Sequence, residues 1–233
     1  PYKSGDEITI TATFSEAVAD SPVPKIAITG ANAVSATVMT KTSTTVYTYA
    51  HTVAAGNGNA SVVMSVAEDA GGNVVIATPT SGATFVVDNT APTAAITYSR
   101  SGQYEKNDAV TITATFSEAV ADSPVPKIAI TGANAVSATV MTKTSTTVYT
   151  YAHTVDHGSG NASVVMSIAE DAAGNAITAT PTSGATFVVD NKSSSQYPPH
   201  IHDEVTVSIN SDDTFVLDVK DTDITNISAN VGD

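Results

Sequence analysis

Along much of the chain, apolar and polar residues alternate one for one. In "EITITATF" (7–14), Ile8, Ile10, Ala12 and Phe14 fall on one side, and Glu7, Thr9, Thr11 and Thr13 on the other. "TVYTYAHTV" (45–53) places Tyr47, Tyr49, His51 and Val53 together, "ASVVMSVAED" (60–69) groups Val62, Met64 and Val66, and "ATFVVD" (83–88) groups Ala83, Phe85 and Val87. A period of two marks strands with one buried and one solvated face. "KIAITG" (25–30) and "AVSATVMT" (33–40) read as two further strands. The turn clusters "ADSPVP", "GNGN", "DAGGN" and "PTSG" separate these segments.

The pattern then starts again. Phe14 recurs as Phe116, an offset of 102 residues, and Thr9–Val53 matches Thr111–Val155 letter for letter. Differences are concentrated in short patches: the entry to the first shared strand, "AAGN" against "DHGS", and "GGNVVI" against "AAGNAIT". With "TAAITY" (93–98) as an opening strand, each unit has about seven strands in about 100 residues, the dimensions of an immunoglobulin-like sandwich. The expected fold is all-β, tandem immunoglobulin-like β-sandwiches. Repeat one covers 1–89 and lacks its first strand, and repeat two covers 90–191. A linker of 192–203 and a partial β segment of 204–233 follow, with "EVTVSI", "TFVLDVK" and "ITNISANV" as strands. Near-identical tandem copies suit a spacer or wall module better than a catalytic domain.

Composition agrees with strands. Leu occurs only at Leu217, while Thr, Ser, Ala and Val dominate. The formal charge of −14 repels phosphate backbones, so nucleic acid is not an expected partner, and it attracts cations. Cysteine is absent, which excludes disulfides and thiolate metal sites. No apolar run reaches the roughly 18 residues of a membrane span. No phosphate-binding Gly loop leads from a strand into a helix, and no serine sits in a nucleophile elbow. The chain reads as a non-enzyme.

Between the repeats stands "FVVDNTAPTAAITY" (85–98). Pro92 fixes its own backbone and restricts Ala91, so the link is short and stiff. The phrases "VVDNTAP", "FSEAV" and "EDAAGN" resemble the immunoglobulin-like repeats of large prokaryotic cell-surface proteins, including adhesin stalks and S-layer proteins. The wording is most similar to S-layer-type proteins of ammonia-oxidising archaea. The resemblance covers Pro1–Asn191.

Calcium is the candidate cofactor. It takes six to eight oxygens from carboxylates, amides, carbonyls and water. Asp88 and Asn89 offer oxygens at the end of a repeat, and "EDAGGN" (68–73) and "EDAAGN" (170–175) offer more on tight turns. In resembling repeats such a turn and the linker acid meet around an interdomain calcium. Carried over, this implicates Asp69, Asn73 and Asp88 in repeat one and Asp171, Asn175 and Asp190 in repeat two, with Glu16 and Glu118 of the "FSEAV" turns completing a site. A plainer reading competes: the turn is only a hairpin and Asp88 only caps a strand. His51 and His153 read as packed positions, and the His200/His202 pair beside Glu204 as incidental. Asn-x-Ser/Thr acceptors for glycans occur at Asn59, Asn161, Asn191 and Asn226.

These observations point to an extracellular structural protein, an S-layer or similar surface lattice that self-assembles from identical subunits and collects cations. The alternative is a calcium-rigidified adhesin stalk or a filament subunit assembling by strand donation. In repeat one the place of the opening strand is empty. Either an upstream strand fills it, or "EVTVSI" or "TFVLDVK" of a neighbouring subunit does.

Overall fold

The computed structural model describes residues 1–191, together with the backbone of two strands, 206–209 and 215–218. These belong to two units, Pro1–Asn191 and Lys192–Asp233. No helix occurs among the described residues, and none is therefore long and apolar enough to cross a membrane. The Ser-rich segment 192–203 and "ITNISANV" lie outside the described residues. In the second unit, β17 (Thr206–Ile209) pairs antiparallel with β18 (Phe215–Asp218).

Repeat one contains β1 (Glu7–Thr13), β2 (Lys25–Gly30), β3 (Val34–Val38), β4 (Thr40–Lys41), β5 (Val46–Thr52), β6 (Gly58–Val66) and β7 (Thr84–Val87). They form two sheets, ordered β1-β5-β4 and β3-β2-β6-β7. Repeat two contains β8 (Ala94–Tyr98), β9 (Gln103–Tyr104), β10 (Ala109–Phe116), β11 (Lys127–Gly132), β12 (Val136–Val140), β13 (Thr142–Lys143), β14 (Val148–Thr154), β15 (Gly160–Ile168) and β16 (Thr186–Val189). Its sheets are ordered β13-β14-β10-β8 and β12-β11-β15-β16-β9. In each repeat one core draws on both sheets. In repeat two, Ile96, Ile112 and Tyr149 from one sheet meet Ile128, Val164, Met166 and Phe187 from the other.

The segment "AVSATVMT" is not one strand. Val34–Val38 pairs with β2 in one sheet, whereas Thr40–Lys41 pairs with β5 in the other. Met39 between them is buried. The chain changes sheets at this residue because the thioether fills the space between the layers while its neighbours turn outward. The same switch occurs at Met141.

Strand β8 lies in the β10 sheet and also reaches the other layer. It pairs with β10, with Ile96 opposite Ala114, and it also touches the segment entering the other sheet, where Ile96 N–H donates to Ser183 O (3.0 Å) and Thr182 N–H to Ala94 O (2.8 Å). The Tyr98 hydroxyl donates to Gly184 O at 2.6 Å. Its burial, with the nearby Tyr104, pushes its pKa up to about 12. Gly184 has φ +66°, and a Cβ there would stand 1.9 Å from Ile96 O, so this approach requires glycine. Burying Ile96 contributes about 1.5–3 kcal/mol, before counting what it covers.

Repeat one has no counterpart of β8 among the described residues. Ile10, Ala12 and Phe14 are half-exposed, whereas their twins Ile112, Ala114 and Phe116 are buried. Tyr2 is 41% exposed and its twin Tyr104 1%.

His51 and His153 are buried against Tyr49 and Phe85 and against Tyr151 and Phe187, and the Nε2 of each has no hydrogen-bond partner. Burial holds both below the ordinary histidine value. Above the unfolded value of about 6.5 both states are neutral and no penalty arises. As pH falls below it, the unfolded chain binds protons that the folded chain resists, so stability drops toward the folded pKa. Unfolding midpoints between about pH 7 and 5 should therefore decline in the parent, and less steeply in a His51→Phe/His153→Phe variant. Equal slopes would show that the two histidines are not the source.

Candidate metal centre at the repeat junction

Asp88 follows the last strand of repeat one, and Asn89 secures that end. Asn89 Nδ2 donates to Gly56 O (2.6 Å), its N–H to Asn57 Oδ1 (2.6 Å), and its Oδ1 accepts from Ser4 N–H (2.7 Å). Asp88 Oδ1 accepts from Thr90 N–H at 3.0 Å, a local turn that sends the chain into repeat two. The link is then pinned. Pro92 O accepts from Thr178 N–H (3.1 Å), and Thr93 and Ser117 exchange backbone and hydroxyl hydrogen bonds.

Across this link the turn of residues 170–175 presents Asp171, which is only 3% exposed. Its Oδ1 accepts from the N–H groups of Ala173 (2.7 Å) and Asn175 (2.9 Å), and its Oδ2 from Asn175 Nδ2 (2.8 Å). Asn175 Nδ2 also reaches Asp88 O at 2.9 Å, tying the turn to the preceding repeat. Lys3 Nζ of repeat one donates to Gly174 O at 2.6 Å.

Asp88, Asp171 and Glu118 therefore converge: one carboxylate oxygen from each lies within 4.8 Å of the other two. Burial, then the charges of Asp88 and Asp171, raise the Glu118 pKa above the ordinary carboxyl value. The three oxygens form a hard, anionic donor set suited to Ca²⁺ in kind, and water or carbonyl oxygens must complete the shell. Each carboxylate oxygen has about two lone-pair directions, so Asp171 Oδ2 keeps one after bonding Asn175. The cluster fits a calcium ion by its chemistry.

The other candidates add no carboxylate to this cluster. Asn175 and Asn73 turn their amide nitrogens toward aspartate, so they orient the carboxylates. Asp69, held below the usual carboxyl range by hydrogen bonds from Asn73 and the turn backbone, stays in its own repeat, as does the exposed Glu16. Asp190 closes repeat two with its N–H on Tyr104 O (2.9 Å). Asn59 and Asn161 are exposed on strands, not on loop tips. Asn191 Nδ2 donates to Asp156 O (2.7 Å) and Gly158 O (2.6 Å), and a glycan on that nitrogen, which takes one of its two hydrogens, would have to displace one of these bonds. Asn226 lies outside the described residues. Sequence reading missed Lys3 and Ser117, whose partners Gly174 and Thr93 are set by the packing of the link, a relation no local motif encodes.

No protein-family model matches the chain, and no curated protein matches it.

A group whose folded pKa is raised lends stability that is full below its unfolded pKa and lost as pH rises through the folded value. Without a cation, ionised Glu118 thus burdens the junction at neutral pH. Glu118→Gln in chelator at pH 7 should raise the thermal midpoint, at about 2–4 °C per kcal/mol relieved, and should blunt any response to calcium. An unchanged midpoint in chelator would show that the three carboxylates are not coupled.

Proposed function

We propose that this chain is a non-enzymatic structural segment of a cell-surface protein, built from tandem immunoglobulin-like sandwiches of an S-layer or similar surface lattice and rigidified at the repeat junction by calcium. The observation that carries the reading is the convergence of Asp88 from one repeat with Glu118 and Asp171 from the next. Three acids held this close repel one another, and a divalent cation turns that repulsion into a clamp. A clamp between repeats has a mechanical use, since it fixes one sandwich against its neighbour.

The remaining features support the same reading. Repeat two differs from repeat one at few positions, as expected where both copies serve as spacers. The excess of acids, 23 Asp and Glu against 9 Lys and Arg, enriches cations within a Debye length of about 8 Å of the surface at physiological ionic strength. In a porous lattice this favours the passage of small cations over anions. The place of work is extracellular, Asn59 and Asn161 are the glycan acceptors, and the partners are further copies of the same subunit.

A calcium titration by calorimetry, paired with thermal unfolding, tests the junction. One calcium should bind, and at 100 times its Kd should stabilise the folded chain by about 2.7 kcal/mol. Asp88→Asn should remove both signals while leaving repeat one intact, because among the described residues the Asp88 side chain accepts a hydrogen bond only from the local Thr90 N–H. Absence of heat and of any midpoint change in the parent chain would remove calcium from the account.

A further inference from the structure

The repeats diverge at the entry to their first shared strand, where "YKSGDE" (2–7) stands against "YEKNDA" (104–109). The backbone there runs alike in both. Tyr2 and Tyr104 bridge in parallel to Val87 and Val189. Their carbonyls accept from the N–H groups of the acids that close each repeat, Asp88 (2.8 Å) and Asp190 (2.9 Å). Lys3 N–H donates to Asp6 Oδ2 (2.9 Å), as Glu105 N–H donates to Asp108 Oδ2 (2.8 Å). Residues 3 and 105 therefore occupy one place at the end of a repeat, and they differ in the sign of their charge.

Lys3 uses that place to cross the junction. It is half-buried, and its ammonium donates to Gly174 O at 2.6 Å. Among the described residues Lys3 Nζ has no carboxylate partner, so the Gly174 carbonyl is what holds it. Glycine leaves room for this approach: Gly174 has φ +82°, and a Cβ there would stand 3.0 Å from Nζ. The next residue bonds in the opposite direction. Asn175 Nδ2 donates to Asp88 O of repeat one at 2.9 Å, while Asp171 Oδ2 holds the same nitrogen at 2.8 Å. Ser4 N–H on Asn89 Oδ1 (2.7 Å) braces the segment that carries Lys3. Two adjacent residues of one turn thus accept from and donate to the repeat before them. Neither bond requires a cation at the carboxylates.

We infer that position 3 determines whether neighbouring repeats lock: a lysine there latches the 170–175 turn of the following repeat without a metal, and a glutamate, as at the twin position 105, does not. An ionised carboxylate has no hydrogen to give to a carbonyl oxygen. It would also bring a further negative charge to the turn that holds Asp171. The latch is a charge-assisted hydrogen bond, the stronger kind, and it acts at the same joint as the proposed calcium clamp but through different groups. In chelator only the latch remains, so its failure and that of the clamp are read apart.

The test uses the full 233-residue chain in chelator, with residual dipolar couplings and amide exchange read by NMR. In the parent, couplings from 6–87 and 94–189 should fit one alignment tensor. Lys3→Met, which keeps the stem and removes the donor, should speed exchange of the Asn175 side-chain amide by about tenfold. Lys3→Arg, which restores a charged donor, should return it toward the parent rate. Lys3→Glu, the residue of repeat two, should exchange at least as fast as Lys3→Met and should require separate tensors for the two repeats. Ile177 N–H, bonded to Ala169 O within repeat two (2.9 Å), should keep the parent rate throughout. Separate tensors in the parent, a parent-like Asn175 rate in Lys3→Met, no recovery in Lys3→Arg, or Ile177 accelerated as much as Asn175 would each overturn the inference.

Discussion

The structure rests on the need of each sandwich for a strand that reaches across both of its sheets. Two sheets facing each other leave their apolar faces open along one side. In repeat two β8 closes that side, hydrogen-bonding β10 in one layer and the 182–183 segment of the other. The effect is visible because the chain contains its own control. Ile112, Ala114 and Phe116 are buried, and the same three positions on an identical stretch of sequence in repeat one are not. Core burial here is thus a property of the assembled edge as well as of the residues.

The junction follows from the same requirement. A strand that must start at the mouth of the next sandwich leaves few residues for a linker, and Thr90–Pro92 are all there are between Asn89 and Thr93. Bringing the repeats this close sets Asp88 beside Glu118 and Asp171. It also sets Asn175 on the Asp88 carbonyl and Lys3 on the Gly174 carbonyl. Architecture and electrostatics are therefore coupled: the short link that closes the core also gathers the carboxylates.

Much of the fold was legible in the sequence, because a period of two survives wherever one face is buried. The alternation of Ile8, Ile10, Ala12 and Phe14, the turn clusters and the offset between copies pointed to strands and to duplication. The break at Met39 was not legible, since a strand that changes sheets keeps its alternation in sequence and loses it only in space. The acids of the site could be nominated, but not their grouping across the link, because that depends on how one repeat sits on the next. Asn73, Asn175 and Asn191 carried the residue type of ligand or glycan acceptors. Their amide nitrogens are engaged by carboxylate or carbonyl oxygens, a detail of rotamer and hydrogen bonding that spacing does not specify.

The most direct measurement of the central claim is backbone hydrogen exchange in the intact chain. Thr9–Phe14 and Thr111–Phe116 share one sequence, so their intrinsic exchange rates match along this stretch and any difference reports the structure around them. If the opening strand closes each sandwich, the amides of β10 that face β8 should exchange at least about tenfold more slowly than the corresponding amides of β1. Equal protection in the two strands would contradict the account.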